Sequence, residues 1–79
     1  MRLDKYLKVS RLIKRRTVAQ EACDGSRVSV NGKPQKPSYT VKVGDVITIG
    51  FGDKALTVRV TSIQEYAKKE DASSLFEVI

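Results

Sequence analysis

Histidine and tryptophan are absent from this chain, cysteine occurs once, and the five glycines stand singly. Without histidine, a serine or cysteine nucleophile has no ordinary base, and a zinc site has too few ligands. The glycines form no GxxxxGK[ST] loop of the kind that cradles phosphates. The nine acids are scattered or sit beside turns, as Asp45 and Asp53 do, so no carboxylate pair across a cleft is indicated. Neither an enzyme nor a bound cofactor or metal is therefore expected. The lone Cys23 has no internal disulfide partner, in keeping with a reducing compartment. No apolar run approaches the roughly 20 residues needed to cross a bilayer, and charges interrupt the N-terminus where a signal peptide would need an apolar core. A cytoplasmic protein is expected. With 79 residues there is room for one domain, 1–79, and little depth for a catalytic cleft.

What the chain does have is positive charge in one place. Residues 1–16 hold seven basic residues (Arg2, Lys5, Lys8, Arg11, Lys14, Arg15 and Arg16) and one acid, Asp4, which accounts for the whole net charge of +6. In residues 17–79 eight basic residues and eight acids cancel. Only Asp4 is available for ordinary helix salt bridges. Arginine supplies four of the seven charges, and its planar fork suits phosphate. Uncompensated repulsion destabilises a small domain unless a polyanion neutralises it. A nucleic acid is the indicated partner. An acidic membrane is the competitor, but a membrane-surface helix exposes bulky apolar groups opposite its charges, and here that face is needed for the core. RNA is preferred to DNA because two helices and a basic loop can grip A-form phosphates by shape.

Leu3, Tyr6, Leu7, Ser10 and Ile13 recur at spacings of three and four, predicting a first helix with that face inward. Lys8, Arg11 and Arg15 fall on the opposite side with Asp4 beside them and Lys5 at the margin, and the helix is expected to bend or end between Ser10 and Ile13. Thr17-Val18-Ala19-Gln20 has the form of a capping box for a second helix. Val18, Ala19, Ala22 and Cys23 give it a small-residue inner face, and Gly25 suits a left-handed stop. From Arg27 the period becomes two, with Asn31-Gly32 as a hairpin signal. Residues 33–38 carry two prolines and read as a loop or irregular edge. Short strands are predicted at 39–43, 46–49, 56–63 and 75–79, with turns at Gly44-Asp45 and over 50–54 and a helical turn near 68–72. The fold class is α+β: two N-terminal helices packed on a small curved antiparallel sheet.

Arg2-Leu3-Asp4-Lys5-Tyr6-Leu7, Arg16, Ala19, Gly25, Val28, Val30-Asn31-Gly32, Lys36-Pro37-Ser38, Val41 and Gly44-Asp45 together resemble the ribosomal protein S-four-type RNA-binding domain, the alpha-L motif. The core of the resemblance spans about residues 2–49, followed by a strand hairpin and short tail over 50–79. Lys68 to Phe76 resembles the continuation found in free-standing members, the heat-shock protein fifteen family, and the N-terminus is most similar to its RqcP branch. The resemblance implies binding to stalled large ribosomal subunits that carry peptidyl-tRNA, with contacts to rRNA and tRNA. It further implies support of RqcH-dependent C-terminal alanine tailing, by a monomer. Alternatives in the same frame are a heat-shock-type factor that rescues obstructed subunits without tailing, an RNA-binding subunit of a modifying enzyme, and a permanent ribosomal component.

Carried over residue by residue, the resemblance puts Arg2, Asp4 and Arg16 at specific RNA-binding positions. Lys5, Lys8, Arg11, Lys14 and Arg15 supply electrostatic support. Three roles stay open for Asp4: capping the first helix, ordering Arg2 or Arg16 as a salt bridge, or accepting a ribose hydroxyl. Many such modules place Ser or Thr where Arg15 stands, so Thr17 is expected to cap the second helix. Tyr6 and Tyr39 are expected in the core or at its rim, and Asn31 in a turn.

Overall fold

The computed structural model describes residues 1–79. Its first helix, α1 (Leu3–Val9), begins without a side-chain cap. A neighbouring segment does the capping: the Leu3 N–H donates to the Tyr39 carbonyl at 2.8 Å and the Asp4 N–H to the Pro37 carbonyl at 3.2 Å. The Lys5 N–H donates to Asp4 Oδ1 at 2.8 Å, so each of the first three free amides of the helix has a partner. Residues 39–43 therefore do not form the predicted strand. They contribute a single bridge, Thr40 to Arg2, and the Tyr39 carbonyl is spent on the helix.

Leu3, Tyr6, Leu7, Ser10 and Ile13 are all buried, as the spacing requires. The helix ends at Ser10, and Arg11 then takes a left-handed φ of 62°. That conformation is costly for a residue with a Cβ. It lets the Ile13 N–H reach back to the Leu7 carbonyl at 3.1 Å and returns Ile13 to the core.

The second helix, α2 (Arg16–Asp24), starts two residues earlier than a Thr17 cap allows: Arg15 is its N-cap, and no side chain caps it. The capping box does not form, since Thr17 already lies within the helix, and Gln20 instead donates through Nε2 to the Asp4 carboxylate at 2.9 Å. Ala19, Ala22 and Cys23 face inward, whereas Val18 is 43% exposed and lies off that face. The left-handed residue after the helix is Ser26, φ 59°, and not Gly25, whose φ is −83°.

Strands β1 (Val28–Val30) and β2 (Lys33–Pro34) flank Asn31 and Gly32, both at positive φ (54° and 84°), as a type I′ hairpin demands. Strand β2 is the edge, where Pro34 costs no ladder bond. The hairpin β3 (Val46–Phe51) and β4 (Lys54–Val60) turns more tightly than expected, at Gly52-Asp53, and β4 ends three residues before Ile63. The helical turn is a 3-10 turn at Ala72–Leu75, later than expected, and it leads into β5 (Phe76–Val78). The five strands are antiparallel in the order β2-β1-β3-β4-β5.

Val28, Val30, Ile47, Ile49, Val58 and Val60 bury one face of this sheet against α1, α2 and Leu75. The buried Tyr6 hydroxyl donates to the Leu75 carbonyl at 2.6 Å, tying α1 to the tail. Burial pushes that phenol up to about 12. Burial, with the nearby Asp4 and Asp24 charges, pushes the Cys23 thiol up to about 11, so it packs as a neutral side chain.

Tyr39 sits at the rim, its hydroxyl donating to Asp45 at 2.9 Å. Asp45 is buried at its turn and also accepts from Asn31 Nδ2 at 3.1 Å and the Lys42 N–H at 2.9 Å. Asn31 Oδ1 in turn accepts the Val46 N–H at 3.0 Å, so the first hairpin, the 39–45 segment and β3 are locked together.

Candidate nucleic-acid interface

The focus of the basic face is a buried carboxylate. Asp4 has no solvent exposure, and its two oxygens accept five hydrogen bonds. Arg2 grips it with Nε at 3.1 Å and Nη2 at 3.4 Å, while Arg16 reaches it with Nε at 3.2 Å. Gln20 and the Lys5 amide complete the set. Burial by itself would raise the Asp4 pKa, but bonds from Gln20, Arg16, Arg2 and the Lys5 amide hold it down at about 2. A direct bond from Asp4 to a ribose is closed off by this burial. Its part is to fix two guanidinium groups, whose side chains stay 51% and 43% exposed for Arg2 and Arg16.

Beside this clip lies an open groove of about 1180 Å³. Lys5, Lys8, Arg11, Lys14 and Arg16 form one wall, from α1, the turn after it and the start of α2. The opposite wall is the tail segment 65–70, in which Glu65 and Glu70 balance Lys68 and Lys69. Lys5 forms an ion pair with Glu65, which holds the two walls together. The first turn of α2 has no acid and no side-chain cap, so its amide end adds partial positive charge next to Arg16. Of the eight residues singled out in the sequence, five line the groove, Arg2 and Asp4 adjoin it through the clip, and Arg15 stands exposed at the α2 N-cap outside the lining.

Residues 1–47 match the S4 domain family model. A protein of Halalkalibacterium halodurans named RQC P-site tRNA stabilizing factor is 55% identical over 78 residues, covering 99% of this chain and 89% of that one. The chain belongs to the S4-domain family of RQC P-site tRNA stabilizing factors. Heat shock protein 15 of Escherichia coli is a more distant relative of this family member, 36% identical over 98% of this chain but 59% of its own length. The fold agrees: a structure of Vibrio cholerae Heat Shock Protein 15, described as trimeric, superposes with a TM-score of 0.93 at 31% identity, covering all of this chain and 81% of that one.

The sequence reading missed two parts of this family member's site. Gln20 was read as a cap when it is the fourth side chain of the clip. Lys68 and Lys69 were not singled out, although the fold brings them to the groove together with Glu65 and Glu70.

The clip also predicts an acid response. A carboxylate held at about 2 against an ordinary 3.8 stabilises the fold fully above about pH 4, and the contribution is lost as pH falls through 2. Denaturant titrations at pH 4 and pH 2 should show the wild type losing about 2 kcal/mol more than an Asp4→Asn variant, whose amide does not titrate.

Proposed function

We propose that this protein binds stalled large ribosomal subunits that carry peptidyl-tRNA, contacts rRNA and tRNA, and supports RqcH-dependent alanine tailing of the nascent chain. The observation that carries this reading is the pair Arg2 and Arg16, preset on a buried carboxylate beside a groove lined by lysine and arginine. Preset guanidinium groups lose little conformational freedom when they meet phosphate. The name of the Halalkalibacterium relative supports the same assignment to ribosome quality control. The protein acts in the cytoplasm as a monomer and without catalysis, its mechanism being steric and electrostatic positioning of the P-site tRNA.

Heat shock protein 15 keeps a second reading open, rescue of obstructed subunits without tailing. Recovery of particles with the tagged protein, together with analysis of stalled chains after its deletion, separates them. The expected result is large subunits bearing peptidyl-tRNA and RqcH, with alanine tails absent from the deletion strain. Tails that persist would favour simple rescue, and recovery with intact ribosomes in equal ratio would favour a permanent component.

A further inference from the structure

The far wall of the groove carries an aromatic ring in an unusual setting. Tyr66 is 77% exposed and is the one aromatic residue lining the groove. A tyrosine held in water gives up the apolar contact that normally rewards its placement. This one is not on a loose end. On one side Glu65 pairs with Lys5 of α1, and on the other Ala67 packs against the core. The Lys68 carbonyl then accepts the Asp71 and Ala72 amides at 2.9 and 3.0 Å, leading into the buried 3-10 turn. The backbone that carries the ring is thus held at the rim of a groove whose other wall carries Lys5, Lys8, Arg11, Lys14 and Arg16.

We infer that Tyr66 is a stacking platform for an unpaired RNA base, with Lys68 and Lys69 engaging the phosphates that flank it. Basic grooves that combine backbone contacts with an exposed ring suit single-stranded nucleotides, because every base offers a π-face while a paired base keeps its faces inside the stack. The inference rests on the proposed RNA-binding role of the groove and specifies its ligand: a folded RNA with an extruded or looped-out nucleotide, in preference to uninterrupted duplex.

The test uses two RNAs of equal phosphate number, a hairpin with several unpaired loop nucleotides, one of them 2-aminopurine, and a blunt duplex. Wild-type protein should prefer the hairpin and quench the loop fluorophore. Tyr66→Ala should weaken hairpin binding about tenfold, leave duplex binding unchanged and abolish the quenching. Tyr66→Phe, which keeps the ring, should behave as wild type. Because the side chain is exposed, circular dichroism of both variants should match the parent. Equal hairpin binding by Tyr66→Ala and wild type, or an equal loss on both RNAs, would overturn the stacking role while leaving the groove as an RNA site. Failure of the wild type to bind either RNA would overturn the groove reading and the subsite with it.

Discussion

Reversing Lys8 and Lys14 together to glutamate is expected to reduce affinity for large subunits by at least about a hundredfold at physiological salt while leaving the fold intact. Both side chains are exposed on the groove wall and neither forms an intramolecular ion pair, so their replacement disturbs no internal contact. If the groove meets about five phosphates, the logarithm of affinity should fall against the logarithm of salt with a slope of roughly 3.5 to 4.5 in the wild type. The double variant should lose about 1 from that slope for each phosphate contact removed. The matched control is Lys54→Glu, an exposed lysine at the β3–β4 turn that does not line the groove. Equal losses at the two sites, or salt-insensitive binding by the wild type, would show that the basic groove is not the contact face. Arg16→Glu is the poorer test because it would place a second carboxylate against buried Asp4 and confuse lost binding with lost stability.

The elements that could be read from the sequence are those set by neighbours along the chain. The inward stripe of α1 rests on a local period, and Leu3, Tyr6 and Leu7 are buried on it with Ser10 at its C-cap. Asn31-Gly32 makes its hairpin because both positions require positive φ, a demand that the dipeptide satisfies by itself. Two of the misreadings share one physical cause, a partner distant in sequence.

Thr17-x-x-Gln20 has the form of a local cap, but the helix begins before it and Gln20 turns its amide N–H to a carboxylate sixteen residues earlier. The Tyr39–Val43 segment has strand composition, but its carbonyl at Tyr39 answers a free amide of α1. A sum of charges along the chain likewise says nothing about where they stand. Lys68 and Lys69 lie far from α1 in sequence, yet the buried Tyr6 hydroxyl on the Leu75 carbonyl ties the tail to α1 and places them, with Glu65 and Glu70, in the groove. Within the groove the two acids balance these two lysines, so the excess positive charge of the site remains that of the N-terminal segment.

Replacing Asp4 with asparagine removes a negative charge from this basic face, raising the net charge from +6 to +7. If affinity followed total charge, the variant would bind RNA more tightly. The geometry predicts the opposite. Asparagine keeps the shape but loses the charge that draws Arg2 and Arg16 inward, and its amide presents two donors toward groups that are themselves donors.

Released guanidinium groups regain their rotamer freedom, and each must be ordered again on meeting phosphate, at about 0.5–1.5 kcal/mol per side chain. Affinity for the large subunit should therefore fall about tenfold, since the two arginines together forfeit on the order of 1.4 kcal/mol or more. Because half-exposed arginines can rehydrate, the loss of stability at pH 7 should stay near 2 kcal/mol, below the 3–5 kcal/mol typical when a buried pair is broken. Equilibrium binding at fixed salt, with urea unfolding of the same samples, measures both quantities. Tighter binding by the more positive variant would show that Asp4 does not preset the arginines and that the interface acts by total charge alone.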